Sequence, residues 1–275
     1  MAKEEIQNPN FAKYRLAIQR MRLLDDDLMR AVFHENCEST EEVLQIIMGQ
    51  KDLKVQDVVA QFDAKNLYGR SARLDVFATD STGKKYNIEI QRSDEGAGKK
   101  RARYNQSIID TNCLSAGVKP NLLPDVHVIF ITEHDVCGSG LPIYHVERVI
   151  QETGALFDDG EHIIYVNGAY DSQDTELGVL IADFRETDPN KVQTKSLAKR
   201  MKYFKENEKG VAHMCRIMEE IKDEGYDLGA QGAAIVVKTY TETKSVFEAA
   251  AKASITIERA RKILALFGID AEYSS

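Results

Sequence analysis

No stretch of the 275 residues is long and apolar enough to cross a membrane. The longest apolar runs, such as 126–132, fall far short of the ~20 residues that a span requires. The first residues, Met-Ala-Lys-Glu-Glu, lack the apolar core of a signal peptide, so a cytoplasmic chain with no membrane partner is expected. Cys37, Cys113, Cys137 and Cys215 stand far apart with no CxxC pair, which argues against a disulfide framework or a zinc knuckle and for reduced thiols. The six histidines (His34, His127, His134, His145, His162 and His213) show no HExxH or comparable zinc spacing. His127 alternates within an apolar strand and reads as a satisfied core histidine. Ser139, between Gly138 and Gly140, lacks the full G-x-S-x-G elbow. There is no P-loop and no GxGxxG, so nucleotide use is not indicated. No internal repeat and no low-complexity linker divides the chain.

Positive charge is scarce overall, with a formal net charge of −8, which runs against a polyanionic partner because phosphate contacts need Lys and Arg. The distribution says otherwise. Between Lys65 and Tyr104 stand ten basic and five acidic residues, a local net of +5 that leaves −13 for the rest of the chain. A solvated basic face is the bland explanation; a nucleic-acid surface is the sharper one.

Residues 1–10 look frayed. Residues 11–33 carry helical spacing, with Leu16, Leu23, Leu24, Leu28, Val32 and Phe33 at three- and four-residue steps. Ser39 or Thr40 could cap a second helix that runs to Met48 and stops at Gly49. Strand-like runs follow at Val55–Phe62, Ala72–Thr79, Tyr86–Arg92 and Val126–Thr132, with a helix at Gly98–Ala116 between the last two and short strands near Ile143–Val146 and Ile163–Val166. Beyond about residue 173 the pattern is helical: Glu176–Phe184, Lys191–Asn207, Val211–Asp223 and Ser245–Phe267, with the glycine-containing stretch 224–232 as a hinge. The expected class is α/β, a mixed β-sheet flanked by helices with a helical C-terminal region, divided as 1–208 and 209–275. Within the last helix, Thr256-Ile-Glu-Arg-Ala-Arg-Lys-Ile-Leu is an amphipathic start, read as plain packing or self-association ahead of half a helix-turn-helix.

Asp80-Ser81-Thr82-Gly83 is a turn composition between two strand patterns. Strands folded symmetrically about Thr82 would set Asp75 opposite Glu89 and Arg73 opposite Gln91. Alternation then puts Leu74, Val76, Ala78, Tyr86, Ile88 and Ile90 on a core face, and Arg73, Asp75, Phe77, Asn87, Glu89 and Gln91 on the other. Two acids directly opposed repel each other. A divalent cation between them removes the penalty, and Mg²⁺ is commonly held by one or two carboxylates completed by water and phosphate. An exposed polar face neutralised by Arg73 and Arg92 accounts for the same spacing.

The string Arg73-Leu-Asp75-Val followed by Gly83-Lys-Lys-Tyr-Asn-Ile-Glu89-Ile-Gln91 resembles the signature of the PD-(D/E)XK nucleases. It is similar in particular to the transposase-like, recombination-promoting branch, where Gln commonly replaces the usual lysine. Asp27-Leu-Met-Arg-Ala-Val-Phe33 resembles that family's N-terminal helix motif, with departures at Met29 and Arg30. Arg101-Ala-Arg-Tyr104, Leu123-Pro-Asp-Val-His-Val-Ile-Phe-Ile, Asp188-Pro-Asn and Arg200-Met-Lys-Tyr-Phe-Lys205 extend the likeness over about residues 20–220.

The resemblance implies a restriction-endonuclease-like sheet and a metal-dependent DNA endonuclease associated with recombination or mobile elements. Asp75 and Glu89 would ligate Mg²⁺ or Mn²⁺, Asp27 would assist through water, and Gln91 would orient the attacking water or contact the phosphate. An amide cannot serve as a general base, so the loss of lysine leaves deprotonation to the metal or a substrate phosphate. DNA contacts would come from Arg73, Arg92, Lys99, Lys100, Arg101 and Tyr104; Arg101 and Tyr104 lie one helical turn apart. Two alternatives stay open: an inactive nuclease scaffold that binds DNA, and a protein-interaction module. A homodimer is also open.

Overall fold

The strand periodicity builds one sheet. In the computed structural model, which describes residues 11–66 and 69–270, the strands are β1 (Val55–Ala64), β2 (Ala72–Asp80), β3 (Lys85–Gln91), β4 (Val126–Thr132), β5 (Ile143–Val146) and β6 (Glu161–Asn167). They form a mixed sheet in the order β1-β2-β3-β4-β6-β5. β1, β2 and β3 are an antiparallel meander, β3, β4 and β6 run parallel, and β5 lies antiparallel on β6. Helices α1 (Phe11–Arg20), α2 (Asp26–Phe33) and α3 (Cys37–Met48) precede the sheet, and α4 (Lys99–Cys113) makes the crossover that the parallel β3–β4 pair requires. After the sheet come α5 (Glu176–Arg185), α6 (Lys195–Glu206), α7 (Glu208–Thr243), α8 (Val246–Lys252) and α9 (Ile257–Leu266). This is the helix-flanked mixed sheet that the resemblance implies.

β4 is buried along its whole length, as a strand covered on both faces must be. Ala102, Ile108 and Ile109 of α4 pack on Val128 and Phe130 of β4 and Tyr165 of β6. α3 packs against β1, and α2 against α3, α6 and the first two strands. Phe33 stacks on Phe184 with ring centroids 6.5 Å apart, joining α2 to α5. Lys205 of α6 is buried, and its Nζ donates to the carbonyls of Met21 (2.5 Å), Thr187 (2.5 Å) and Gln19 (3.3 Å), while Gln19 Nε2 donates to the Lys205 carbonyl at 2.6 Å. These bonds secure the end of α1.

The chain divides into two compact units, Met1–Cys215 and Arg216–Ser275. The second holds the distal part of α7, α8 and α9 around a small core of its own. Among the described residues, no helix is long and apolar enough to cross a membrane.

Several boundaries differ from expectation. The helical run 11–33 is two helices, because the Arg22 N–H donates to Asp25 Oδ2 (2.7 Å) in a turn that buries both Leu23 and Leu24. The cap of α3 is Asn36, whose side chain accepts from the Ser39 N–H, so Ser39 is the capped residue and not the cap. Gly49 ends α3 with φ of 65°, as expected. The stretch 224–232 is no hinge but lies inside α7. Gly225, Gly229 and Gly232 each cost a helix about 1 kcal/mol, too little to break one whose flanks are buried at Met214 and Val236. The 245–267 helix is broken after Lys252, where Ser254 takes φ of 54° and Thr256 caps a new helix. The expected fraying of residues 1–10 falls outside the described residues.

Candidate metal centre

The β2–β3 hairpin takes the symmetric register. Val76 pairs with Ile88, Phe77 with Asn87, Ala78 with Tyr86 and Thr79 with Lys85, and the pairing ends one position short of Asp75 and Glu89. Asp80 sets this register: its Oδ1 accepts from the Thr82 N–H (2.8 Å), the Thr82 hydroxyl (2.7 Å) and the Lys84 N–H (3.0 Å), and the Tyr86 hydroxyl donates to its Oδ2 at 3.0 Å. Gly83 completes the turn with φ of 91°, where a side chain would be strained. Leu74, Val76, Ala78, Tyr86, Ile88 and Ile90 are all buried, so the core face is the expected one.

The opposite face is not an exposed polar surface. Asn87 and Glu89 are wholly buried, and Asp75 is half-buried. Asp75 and Glu89 point to the same side, since Gln91 Nε2 lies 3.5 Å from both Asp75 Oδ2 and Glu89 Oε2. The Ile90 N–H donates to Asp75 Oδ2 at 3.0 Å. Arg101, on the first turn of α4, places Nη2 2.7 Å from Glu89 Oε2 and Nη1 3.4 Å from Gln91 Oε1. Glu89 Oε1 is buried with no partner at full hydrogen-bond geometry, as are both amide atoms of Asn87 two residues earlier, although the Asn87 side chain and the Asp75 N–H lie near enough to favour the Glu89 carboxylate. Native proteins seldom leave such atoms unsatisfied. Burial pushes the Asp75 carboxyl up to about 6, with the Asp26 charge adding to the rise. Burial and the adjacent Asp75 push Glu89 up to about 7.

A cavity of about 890 Å³ opens over Asp75 and Gln91, walled by Asp25, Asp26 and Asp27, by Arg92 and Arg101, and by Ala17, Arg20 and Met21 at the end of α1. Asp27 thus reaches the same cavity as Asp75, but Asp26, which in the sequence is only the middle of a three-acid run that fits a solvated helix face, is the helix acid whose charge acts on Asp75. Gly96, in the short 3₁₀ turn Asp94–Ala97, is another residue that the sequence does not mark: a Cβ there would lie 2.0 Å from Gln91 Oε1. No periodicity could reveal either, because both act through a contact between separate elements.

The expected DNA-contacting residues divide. Arg101 joins the carboxylates. Arg92 pairs with Asp25 (2.8 Å) and Glu133 (3.2 Å), and Arg22 also reaches Glu133 (2.7 Å), so these four residues brace the cavity rim. Arg73 pairs with Asp63 at 3.1 Å, away from the cavity. The Tyr104 hydroxyl donates to the Arg70 carbonyl. Lys99 and Lys100 stay exposed at the start of α4. Much of the local positive charge is therefore neutralised by acids, several of them outside the 65–104 window. His127 is buried as expected but not satisfied, since its Nδ1 has no partner. It is stacked between Tyr86 and His162 at centroid distances of 5.0 and 4.4 Å.

Among the described residues, no three His, Cys, Asp or Glu side chains gather into a metal cage. Asp75 lies on the cavity wall and Glu89 is buried near it with one oxygen lacking a partner at full hydrogen-bond geometry, a donor set that suits a hard divalent cation completed by water and substrate. Residues 36–170 match the family model described as PD-(D/E)XK nuclease family transposase. No curated protein and no solved structure matches the chain.

Proposed function

We propose, from the match of residues 36–170 to the PD-(D/E)XK nuclease family transposase model, that the protein is a divalent-metal-dependent DNA endonuclease that hydrolyses phosphodiester bonds and thereby promotes recombination. The observation that carries this reading is the pairing of Asp75 with a fully buried Glu89, one of whose carboxylate oxygens lacks a partner at full hydrogen-bond geometry. Burying two adjacent acids costs several kcal/mol unless something compensates them, and Arg101, the Ile90 N–H and Gln91 answer only part of their lone pairs.

Asp75 and Glu89 would hold Mg²⁺ or Mn²⁺, which supplies Lewis acidity toward a phosphoryl oxygen and a nucleophilic water near neutral pH. Gln91, with its amide already between the two acids, orients water or a phosphate oxygen. Arg101 is 40% exposed, so its guanidinium can meet a phosphate as well as Glu89. Asp26 and Asp27 add negative charge to the cavity wall and favour a cation. Lys99, Lys100 and Arg103 attract the DNA backbone without regard to sequence.

The test is nicking of supercoiled plasmid with Mg²⁺ or Mn²⁺, comparing the native protein with Asp75→Ala and Glu89→Ala. Unchanged cleavage in both variants would remove these residues from the mechanism. Gln in place of lysine supports a second reading, a nuclease scaffold that holds DNA without cutting it. Salt-sensitive binding with no cleavage under any divalent metal would select it.

A further inference from the structure

The C-terminal unit carries a motif that the nuclease centre leaves unused. α8 and α9 are joined by the four residues Ala253–Thr256, and Ser254 takes φ of 54° where such turns usually carry glycine. The Ile255 N–H donates to the Ala250 carbonyl (3.0 Å) and the Ser254 N–H to Ala251 (3.1 Å), closing α8 tightly. The Thr256 hydroxyl then caps α9 by accepting from the Arg259 N–H at 3.2 Å. Val236 and Tyr240 of α7 complete a three-helix core with Val246, Ala249, Ala250, Ala260 and Leu264. The alanines let the helix backbones approach closely.

Charge is segregated on this unit. Residues 216–251 hold seven acidic and four basic side chains, whereas 252–262 hold four basic and one acidic. Arg259, Arg261 and Lys262 are exposed on the first two turns of α9. Lys262 pairs with Glu258 at 2.7 Å, and Arg259 and Arg261 have no ion-pair partner among the described residues. Phosphate favours such a helix start on both dipole and hydrogen-bonding grounds.

We infer that α8 and α9 form a helix-turn-helix that binds duplex DNA, with α9 entering the major groove and Arg259, Arg261 and Lys262 contacting phosphates and base edges. This is a DNA site separate from the carboxylate pair, and it does not depend on cleavage.

The test uses the full-length protein in EDTA, so that no cleavage is needed, with a short mixed-sequence duplex followed by fluorescence anisotropy. The triple variant Arg259→Ala/Arg261→Ala/Lys262→Ala should bind at least about tenfold more weakly, and its log Kd against log salt should flatten by about two to three. Lys222→Ala/Lys238→Ala, which removes two exposed lysines elsewhere on this unit, should bind like the native protein. The native protein should protect guanine N7 from dimethyl sulfate, and the triple variant should not. The conservative Arg259→Lys/Arg261→Lys variant should recover most of the salt-dependent binding, which a folding defect would not allow. Native affinity and salt slope in the triple variant would overturn the inference. So would a native protein that fails to bind duplex at low salt, or loss of binding traced by light scattering to a lost dimer. Binding with these properties but no nicking would sink the nuclease reading and leave this one standing.

Discussion

Arg101 Nη2 lies 2.7 Å from Oε2 of Glu89, a side chain with no exposure to solvent. A cation from the first turn of α4 therefore stands beside the acid proposed to hold a metal. Arg101→Gln should destabilise the metal-free protein by about 1 kcal/mol, the exposed guanidinium limiting the effect. Mn²⁺ should then raise the melting temperature of the variant more than that of the native protein, as ligand linkage requires. Equal metal-induced shifts in the two proteins would show that Arg101 and the metal answer to different groups.

The Asp75–Glu89 pair fixes a pH dependence. Their folded values, about 6 and about 7, lie above the ~4 of free carboxyls, so the metal-free folded state holds protons that the unfolded chain has lost. The stability this contributes is present below pH ~4 and is lost as pH rises to about 7. Metal binding needs the deprotonated acids and has the opposite sign. Mn²⁺ affinity measured by calorimetry should climb steeply between pH 5 and 7 (roughly tenfold per pH unit for each proton released) and level off above. Glu89→Gln should raise the metal-free melting temperature at pH 8 and abolish nicking. A flat affinity profile would dissociate the pair from the metal.

Gly96 makes a sharper test of Gln91. An alanine Cβ there would crowd Gln91 Oε1 at 2.0 Å, and the long side chain can swing away at little cost. Gly96→Ala should change stability by less than about 1 kcal/mol while lowering nicking to the level of Gln91→Ala. The two changes together should be no worse than Gln91→Ala alone. Additive losses would mean that Gly96 acts elsewhere.

His127 predicts acid sensitivity of separate origin. Burial, with help from the His162 charge, pushes its imidazole down to about 4, below the ~6.5 of the unfolded chain. Between those values the unfolded state takes up a proton that the folded state refuses, so stability is lost as pH falls from about 6.5 to 4, by up to about 3 kcal/mol. His127→Phe keeps a ring between Tyr86 and His162 and should flatten urea-denaturation stability across that window. An unaltered pH profile would assign the acid sensitivity to other groups.

The hairpin shows how far a linear pattern reaches. Turn chemistry at Asp80–Gly83 and strict alternation were enough to set the register and to choose the buried face, because both are local properties. The burial of Glu89 was not legible, since it depends on the turn Asp94–Ala97 and Arg101 of α4 closing over a face that alternation marks as polar. Arg92 looked free for phosphate until Asp25 and Glu133 arrived from distant segments. The glycines at 225, 229 and 232 announce a break by composition, yet α7 passes through them because its neighbours outweigh three small propensity costs. Ser254 hid a turn in the same way, a left-handed residue without the glycine that usually advertises it.

The segment that carries the family likeness ends at residue 170 and begins at 36, yet Lys205 grips the carbonyls of Met21 and Gln19 from outside it. That grip holds the end of α1, just ahead of the acids at 25–27. An excised 36–170 fragment would keep Asp75 and Glu89 but forfeit the part of the cavity wall that Ala17, Arg20, Met21 and Asp25–Asp27 supply. Grafting the hairpin into another scaffold would accordingly transfer the two acids without the enclosure, and evolution can retune what enters by altering flanks that lie outside the family-like segment.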